Sequence, residues 1–155
     1  MAIKLRKITM TESEKLHDMQ VEAFRELLEK YEDFETSPGA ETLERVKRRF
    51  RFDTVEHYWI LAAAKRVGCI RIQQKERNIC RLSQMFILPE FQGQGYAQQA
   101  IALAEGLYPH AEKWELDTIK QEEKLCHLYE KMGYRQTGET HHIKPGMDLV
   151  DYVKP

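Results

Sequence analysis

Phe86-Ile87-Leu88-Pro89-Glu90-Phe91-Gln92-Gly93-Gln94-Gly95-Tyr96-Ala97 is the stretch on which the reading of this chain turns. The apolar residues before Pro89 end a strand predicted over Ile79 to Leu88, because proline cannot donate to a sheet ladder. After the glycine-rich Gln92 to Gly95, the residues Ala97, Ala100, Ile101, Ala104 and Leu107 recur at helical spacing. A buried strand, a glycine turn and a helix in that order suit a phosphate: the glycines let successive N–H groups point into one concavity, and the helix dipole favours an anion there. A tight turn whose glycines merely permit the reversal is the plainer alternative. A nucleoside-triphosphate loop needs a Lys and a Ser or Thr after its last glycine, and neither is present. A dinucleotide fingerprint needs a third small residue where this chain has Gln98, although Glu115 falls near the place of a ribose-binding acid.

Working outward, Ile3 to Ile8 reads as a strand, and Thr11 with Glu14 as a capping box for one long helix carrying Leu16, Met19, Ala23, Phe24, Leu27, Leu28 and Tyr31 on its apolar stripe. Ser37-Pro38-Gly39 ends that segment, and a polar helix follows over Glu41 to Phe50. Its cluster of Arg45, Lys47, Arg48, Arg49 and Arg51 reads as a solvated face that complements the helix dipole. Tyr58 to Ala64 and Cys69 to Gln74 form a hairpin around a turn at Lys65 to Gly68, and a second turn at Lys75 to Asn78 leads into the strand that ends at Pro89. Beyond the glycine loop and its helix come a strand over Trp114 to Thr118, a helix over Glu122 to Met132 capped by Gly133, and a closing hairpin around Lys144-Pro145-Gly146. This order predicts a mixed α/β (α+β) fold.

Composition narrows the function. The chain has 155 residues, which suits one domain over residues 1–155. Its 24 Lys+Arg against 25 Asp+Glu lack the excess of base expected of a nucleic-acid binder. No apolar run approaches the ~20 residues of a membrane-spanning helix, and Met1 to Met10 has no signal-peptide pattern, so the expectation is a cytoplasmic protein without membrane or nucleic-acid partners. Cys69, Cys80 and Cys126 are an odd count without Cys-x-x-Cys spacing, and read as free thiols. Cys126 and His127 are adjacent and diverge on a helix, so they make no nucleophile–base pair. His141-His142 has no ligand partner at metal spacing, and no metal is expected.

Gln92-Gly93-Gln94-Gly95-Tyr96-Ala97 resembles the Arg/Gln-x-x-Gly-x-Gly/Ala signature of the GNAT (GCN5-related N-acetyltransferase) superfamily, and Leu128-Tyr129-Glu130-Lys131-Met132-Gly133-Tyr134 resembles a second segment of that family. The order of elements is similar over nearly the whole chain. The resemblance implies a mostly antiparallel sheet of about seven strands flanked by four helices, with a splayed strand pair, and a transfer from acetyl-coenzyme A to an amine. It further implies that the amides of Gln92, Gly93, Gln94, Gly95, Tyr96 and Ala97 hold the pyrophosphate, that the backbone of Ile87 bonds the pantetheine arm, and that the Met85 N–H meets the thioester carbonyl. Tyr129 is implied as the general acid, with a core tyrosine as the alternative. Glu122 and Leu125 stand where the family often has an Asn that contacts pantetheine and a small Ala.

No residue announces itself as the base: Glu115, Asp117, His127 and a water chain are all candidates, and Glu115 and Asp117 share a strand face from which either could instead recognise a cationic substrate. Tyr31, Glu32, Asp33, Glu35 and His57 are candidates for contacting the acceptor, for which a small-molecule amine is preferred. A non-catalytic acyl-coenzyme A-binding domain and a dinucleotide-binding oxidoreductase fragment are the rival readings. The exposed edge expected of the C-terminal strands is compatible with a monomer or a homodimer.

Overall fold

The computed structural model describes residues 2–155. Its strands are β1 (Ile3–Lys7), β2 (Val55–Ala62), β3 (Lys65–Lys75), β4 (Ile79–Ile87), β5 (Lys113–Ile119), β6 (Arg135–Lys144) and β7 (Met147–Lys154). Five α-helices accompany them: α1 (Ser13–Ala23), α2 (Arg25–Tyr31), α3 (Leu43–Arg49), α4 (Tyr96–Leu107) and α5 (Glu123–Lys131). The strands form one sheet in the order β1-β2-β3-β4-β5-β7-β6, in which β4 and β5 are the one parallel pair. The expected mixed, mostly antiparallel sheet of seven strands is therefore present.

Two cores sit on opposite faces, as the alternation of each strand requires. On one, Ile60, Ile70, Ile72, Leu82 and Leu116 pack against Ala100, Ile101 and Ala104 of α4 and Tyr129 of α5. On the other, Trp59, Cys69 and Phe86 pack against Leu16 and Met19 of α1 and Val46 of α3. The sheet is thus sandwiched over β1 to β4.

The feature that positions the site lies at its middle. β4 and β5 are in register only at Ile79↔Lys113, Cys80↔Trp114 and Arg81↔Glu115, and then part. Just beyond, β4 carries a bulge: Arg71 pairs with Gln84 and Ile72 with Leu82, leaving Ser83 as the extra residue. A bulge bends its strand and increases its twist, which turns the upper half of β4 away from β5.

Three sequence expectations are corrected. The long first helix is two helices broken at Phe24, whose ring meets Phe86 edge-on at 5.8 Å and whose carbonyl lies 3.0 Å from where a Cβ on Gly39 would stand. The described residues thus form five α-helices rather than four, because packing against that neighbour overrides a continuous apolar stripe. The capping box is Thr9 with Glu12, not Thr11 with Glu14; Glu12 is also drawn inward as acceptor for Trp59 Nε1 at 3.0 Å and Arg66 at 3.2 Å. The β2–β3 turn lies at Ala63-Ala64, with φ of 49° and 69°, rather than at Lys65 to Gly68. A two-residue hairpin loop needs left-handed residues at both positions to follow the strand twist, so pairing geometry outweighs the preference for glycine.

Gly68 is needed for close approach, since a Cβ there would lie 2.0 Å from the Phe86 carbonyl oxygen. Gly68→Ala should lower stability by about 3 kcal/mol. Replacing Ala63-Ala64 by Asn-Gly should raise it by about 1–2 kcal/mol, since alanine is strained in the left-handed region. Urea denaturation of both variants checks the pair.

Candidate active site

Where β4 and β5 part, a cavity of about 480 Å³ opens through the sheet. It is walled by Leu82 to Ile87 of β4, Asp117 to Ile119 of β5, Leu125, Leu128 and Tyr129 of α5, and Phe24, Leu27 and Tyr31 from the first two helices. Gln92 and Ala97 stand at one end, and Glu41, Arg49 and Arg71 at the other.

The backbone along β4 faces this opening at alternate residues. Leu88 N–H donates to the Val67 carbonyl of β3 at 2.8 Å, and Phe86 is in register with Cys69. Alternation in an antiparallel ladder therefore turns the backbone groups of Met85 and Ile87 the other way, toward the gap. One of these groups is already engaged, because Gln92 Nε2 donates to the Ile87 carbonyl at 2.9 Å. That bond folds the glycine loop back onto the end of β4.

Gly93 and Gly95 both have φ of 79°, and both face open space. Gly95 begins α4 without a capping side chain, so the N–H groups of the first turn are left for a ligand or water. An anion fits there by charge and by access. Tyr96 donates to the Gln94 side chain at 3.1 Å, which steadies the loop from within.

A family model described as "Acetyltransferase (GNAT) family" matches residues 15–134. The chain belongs to this family. Among solved structures of similar fold, an acetyltransferase from Thermus thermophilus superposes with a TM-score of 0.77 at 17% identity, covering 100% of this chain and 97% of that one. Spermidine N-acetyltransferase from Vibrio cholerae, in complex with CoA and spermine, gives 0.77 at 19% identity, covering 97% and 94%. A PaiA N-acetyltransferase from Thermoplasma acidophilum, in complex with coenzyme A, gives 0.71 at 18% identity and covers 99% of both chains. No curated protein sequence matches the chain. The mostly antiparallel sheet is also unlike the parallel one that a dinucleotide fold is built on.

Within this GNAT chain, Tyr129 is buried yet borders the cavity, and its hydroxyl has no hydrogen bond among the described residues. Burial, with Asp117 and Cys126 nearby, pushes the phenol well above its ordinary value. Asp117 borders the cavity and accepts from Arg81 at 2.7 Å. Glu115, on the same strand face, lies outside the cavity and pairs with Lys75 and Arg81. His127 is exposed, and Cys126 turns its thiol toward the carbonyls of Ile119 and Lys120.

Tyr31 and Glu122, expected to contact acceptor and cofactor separately, are joined to each other. Tyr31 donates to Glu122 Oε2 at 2.5 Å and Lys30 Nζ to the same oxygen at 2.6 Å. Burial opposes the charge on Glu122, but those two donors outweigh it and hold the carboxyl below its usual range. Of the other acceptor candidates, Asp33 borders the cavity, and Glu32 and Glu35 are exposed beyond it. His57 is buried and stacked on Phe50 at 4.3 Å.

Arg49 was not separable in sequence from its solvated neighbours. The structure turns it inward, where it makes a two-armed pair with Glu41. Glu41 also accepts from Gln20 Nε2 at 2.9 Å, and Gln84 Nε2 donates to Gln20 Oε1 at 3.0 Å. Burial works against the charge on Glu41, and the bonds from Arg49 and Gln20 overcome it, so its carboxyl is held below the ordinary range. Burial drives His57 down to about 3, with Arg71 and Arg49 adding to the effect, so it is neutral at physiological pH.

Strand pairing also supplies what spacing along the chain lacked at His141: ligand atoms of Glu139, His141 and Asp151 lie within 4.8 Å of one another. That trio stands on the outer strands, with His141 Nε2 3.1 Å from Asp151 Oδ2.

A carboxylate whose folded pKa is depressed contributes stability above its unfolded value, and loses it as pH falls through the folded one. Glu41 should therefore stabilise the fold above its ordinary 4.5 and cease to do so in more acidic solution. Glu41→Gln should cost about 2 kcal/mol at pH 7 and flatten the acid limb of the stability profile, as read by denaturation between pH 7 and pH 3.

Proposed function

We propose that the protein transfers an acetyl group from acetyl-coenzyme A directly to the amine of a small molecule. The observation that carries this reading is the cavity through the parted strands, with unpaired backbone groups of β4 on one wall and the unbonded Tyr129 hydroxyl on another. Acetyl-coenzyme A, when bound, supplies an acyl carbon activated as a thioester.

The residues of this chain do the rest. The first-turn amides of α4, with Gln92 to Ala97, hold the pyrophosphate without need of basic side chains. Ile87 offers its N–H to the pantetheine arm, since its carbonyl is already an acceptor for Gln92. Met85 directs its N–H at the thioester carbonyl, where it stabilises the negative charge that develops as the amine attacks. Tyr129 gives its proton to the sulfur as the carbon–sulfur bond breaks; burial keeps the phenol protonated until then. Asp117, which borders the cavity where Glu115 does not, is the better placed carboxylate for taking the proton that the amine must lose.

Titrating coenzyme A and acetyl-coenzyme A should raise thermal stability, by about 2.7 kcal/mol at 100 times the dissociation constant. No shift at millimolar ligand overturns the reading. Tyr129→Phe should lower kcat by roughly 100-fold in a thiol-release assay while leaving that stabilisation intact. A variant that keeps full turnover would return Tyr129 to the core.

A further inference from the structure

At the acceptor end of the cavity one charged side chain has no bonded partner, and its chemistry bears on what the acceptor carries. Each carboxylate bordering the cavity is already engaged. Glu41 accepts both arms of Arg49 and the amide of Gln20. Asp33 accepts from the N–H and hydroxyl of Thr36. Asp117 accepts from Arg81.

Arg71 is the opposite case. It borders the cavity from the middle of β3, on the face covered by α1 and α3. Its guanidinium makes no hydrogen bond and no ion pair among the described residues. Its neighbours in the ladder are His57 and Gln84. His57 is neutral and Gln84 is bonded to Gln20, so neither supplies a counter-charge. Arg71 itself is lowered only to about 10, chiefly by burial and then by Arg49, with the nearby but unbonded Glu41 acting the other way, so it stays charged. A half-buried guanidinium with five donors and no protein acceptor is open to a ligand, and an incoming oxyanion can take two of those donors at once.

We infer that the acceptor is a small amine that also bears a carboxylate, of amino-acid size, and that this carboxylate docks on the fork of Arg71. Planar guanidinium matches planar carboxylate through two parallel hydrogen bonds. Position agrees: Arg71 pairs with Gln84 and Ile70 with Met85, so the anion site lies one rung from the backbone N–H assigned to the thioester. A polyamine would meet a guanidinium there instead of a free carboxylate. The inference rests on the acetyltransferase reading and adds the substrate class to it.

The test pairs amino acids with their amides and decarboxylated amines in the thiol-release assay, with spermidine and phosphoethanolamine as further arms. The carboxylate form should be favoured by roughly 100-fold in kcat/KM, and Arg71→Gln should bring that ratio to within a few-fold, mainly through KM. Arg71→Lys should keep part of it. Stabilisation by acetyl-coenzyme A should be unchanged in both variants, which separates this outcome from failure of the cofactor reading and from misfolding. A readout that needs no turnover accompanies it: free amino acids at millimolar concentration should raise the melting temperature of the native protein and not of Arg71→Gln. Preference for spermidine, for the decarboxylated amines or for phosphoethanolamine overturns the inference. So does discrimination that survives Arg71→Gln, or the absence of any amino-acid-dependent shift.

Discussion

The parting of β4 from β5 is the constraint on which the other features depend. A continuous sheet would satisfy every backbone group and leave no passage between its faces. Here three rungs of parallel pairing hold the strands together at one end, and the bulge at Ser83 turns them apart beyond it. The gap exposes a row of backbone donors and acceptors, and burial without a partner costs about 1–3 kcal/mol for each. A ligand that pairs with them therefore gains affinity from main-chain geometry alone. The glycine loop stands at the end of the same strand, tied to it by Gln92, so the glycine turn and the unpaired edge form one continuous surface.

Local patterns in the sequence carried much of this arrangement. Pro89, the glycines at 93 and 95 and the apolar spacing of α4 are each dictated by residues close in the chain, and so could be read there. Tyr129 entered through the resemblance of Leu128 to Tyr134 to a family segment, and the fold sets it on the cavity wall. Features decided by distant partners were not legible. The break at Phe24 depends on Phe86 and Gly39, and the hairpin turn moves to two alanines because the register of β2 with β3 places it there. Arg49 lies in a run of bases that are otherwise solvated, and only its pairing with Glu41 across the loop into α3 distinguishes it. Arg71 was not singled out in the sequence, because only the packing of α1 and α3 makes its face of β3 an interior.

Net charge also takes on a different meaning. The near balance of 24 Lys+Arg against 25 Asp+Glu spoke only against a nucleic-acid partner. Inside the cavity the pairing is local: Glu41 and Asp117 are each bonded to an arginine, Asp33 is bonded to Thr36, and the guanidinium of Arg71 is bonded to no carboxylate. Whole-chain near-neutrality thus coexists with an unbonded cation on the cavity wall.

The tie from Tyr31 and Lys30 to Glu122 gives the cleft a mechanical asymmetry. On the side of α4 the two halves of the sheet are joined by a shared apolar core, which includes Ile101, Trp114, Tyr129 and Tyr134. On the side of α2 they are joined by polar contacts: the bonds to Glu122, and Lys144 Nζ to the Glu32 carbonyl at 3.3 Å. Dissolved ions weaken the second kind of joint and leave the first nearly untouched. The cleft is therefore like a door hung on its greasy edge and latched on its wet one, and the latch on the side of α2 is the joint that added salt weakens.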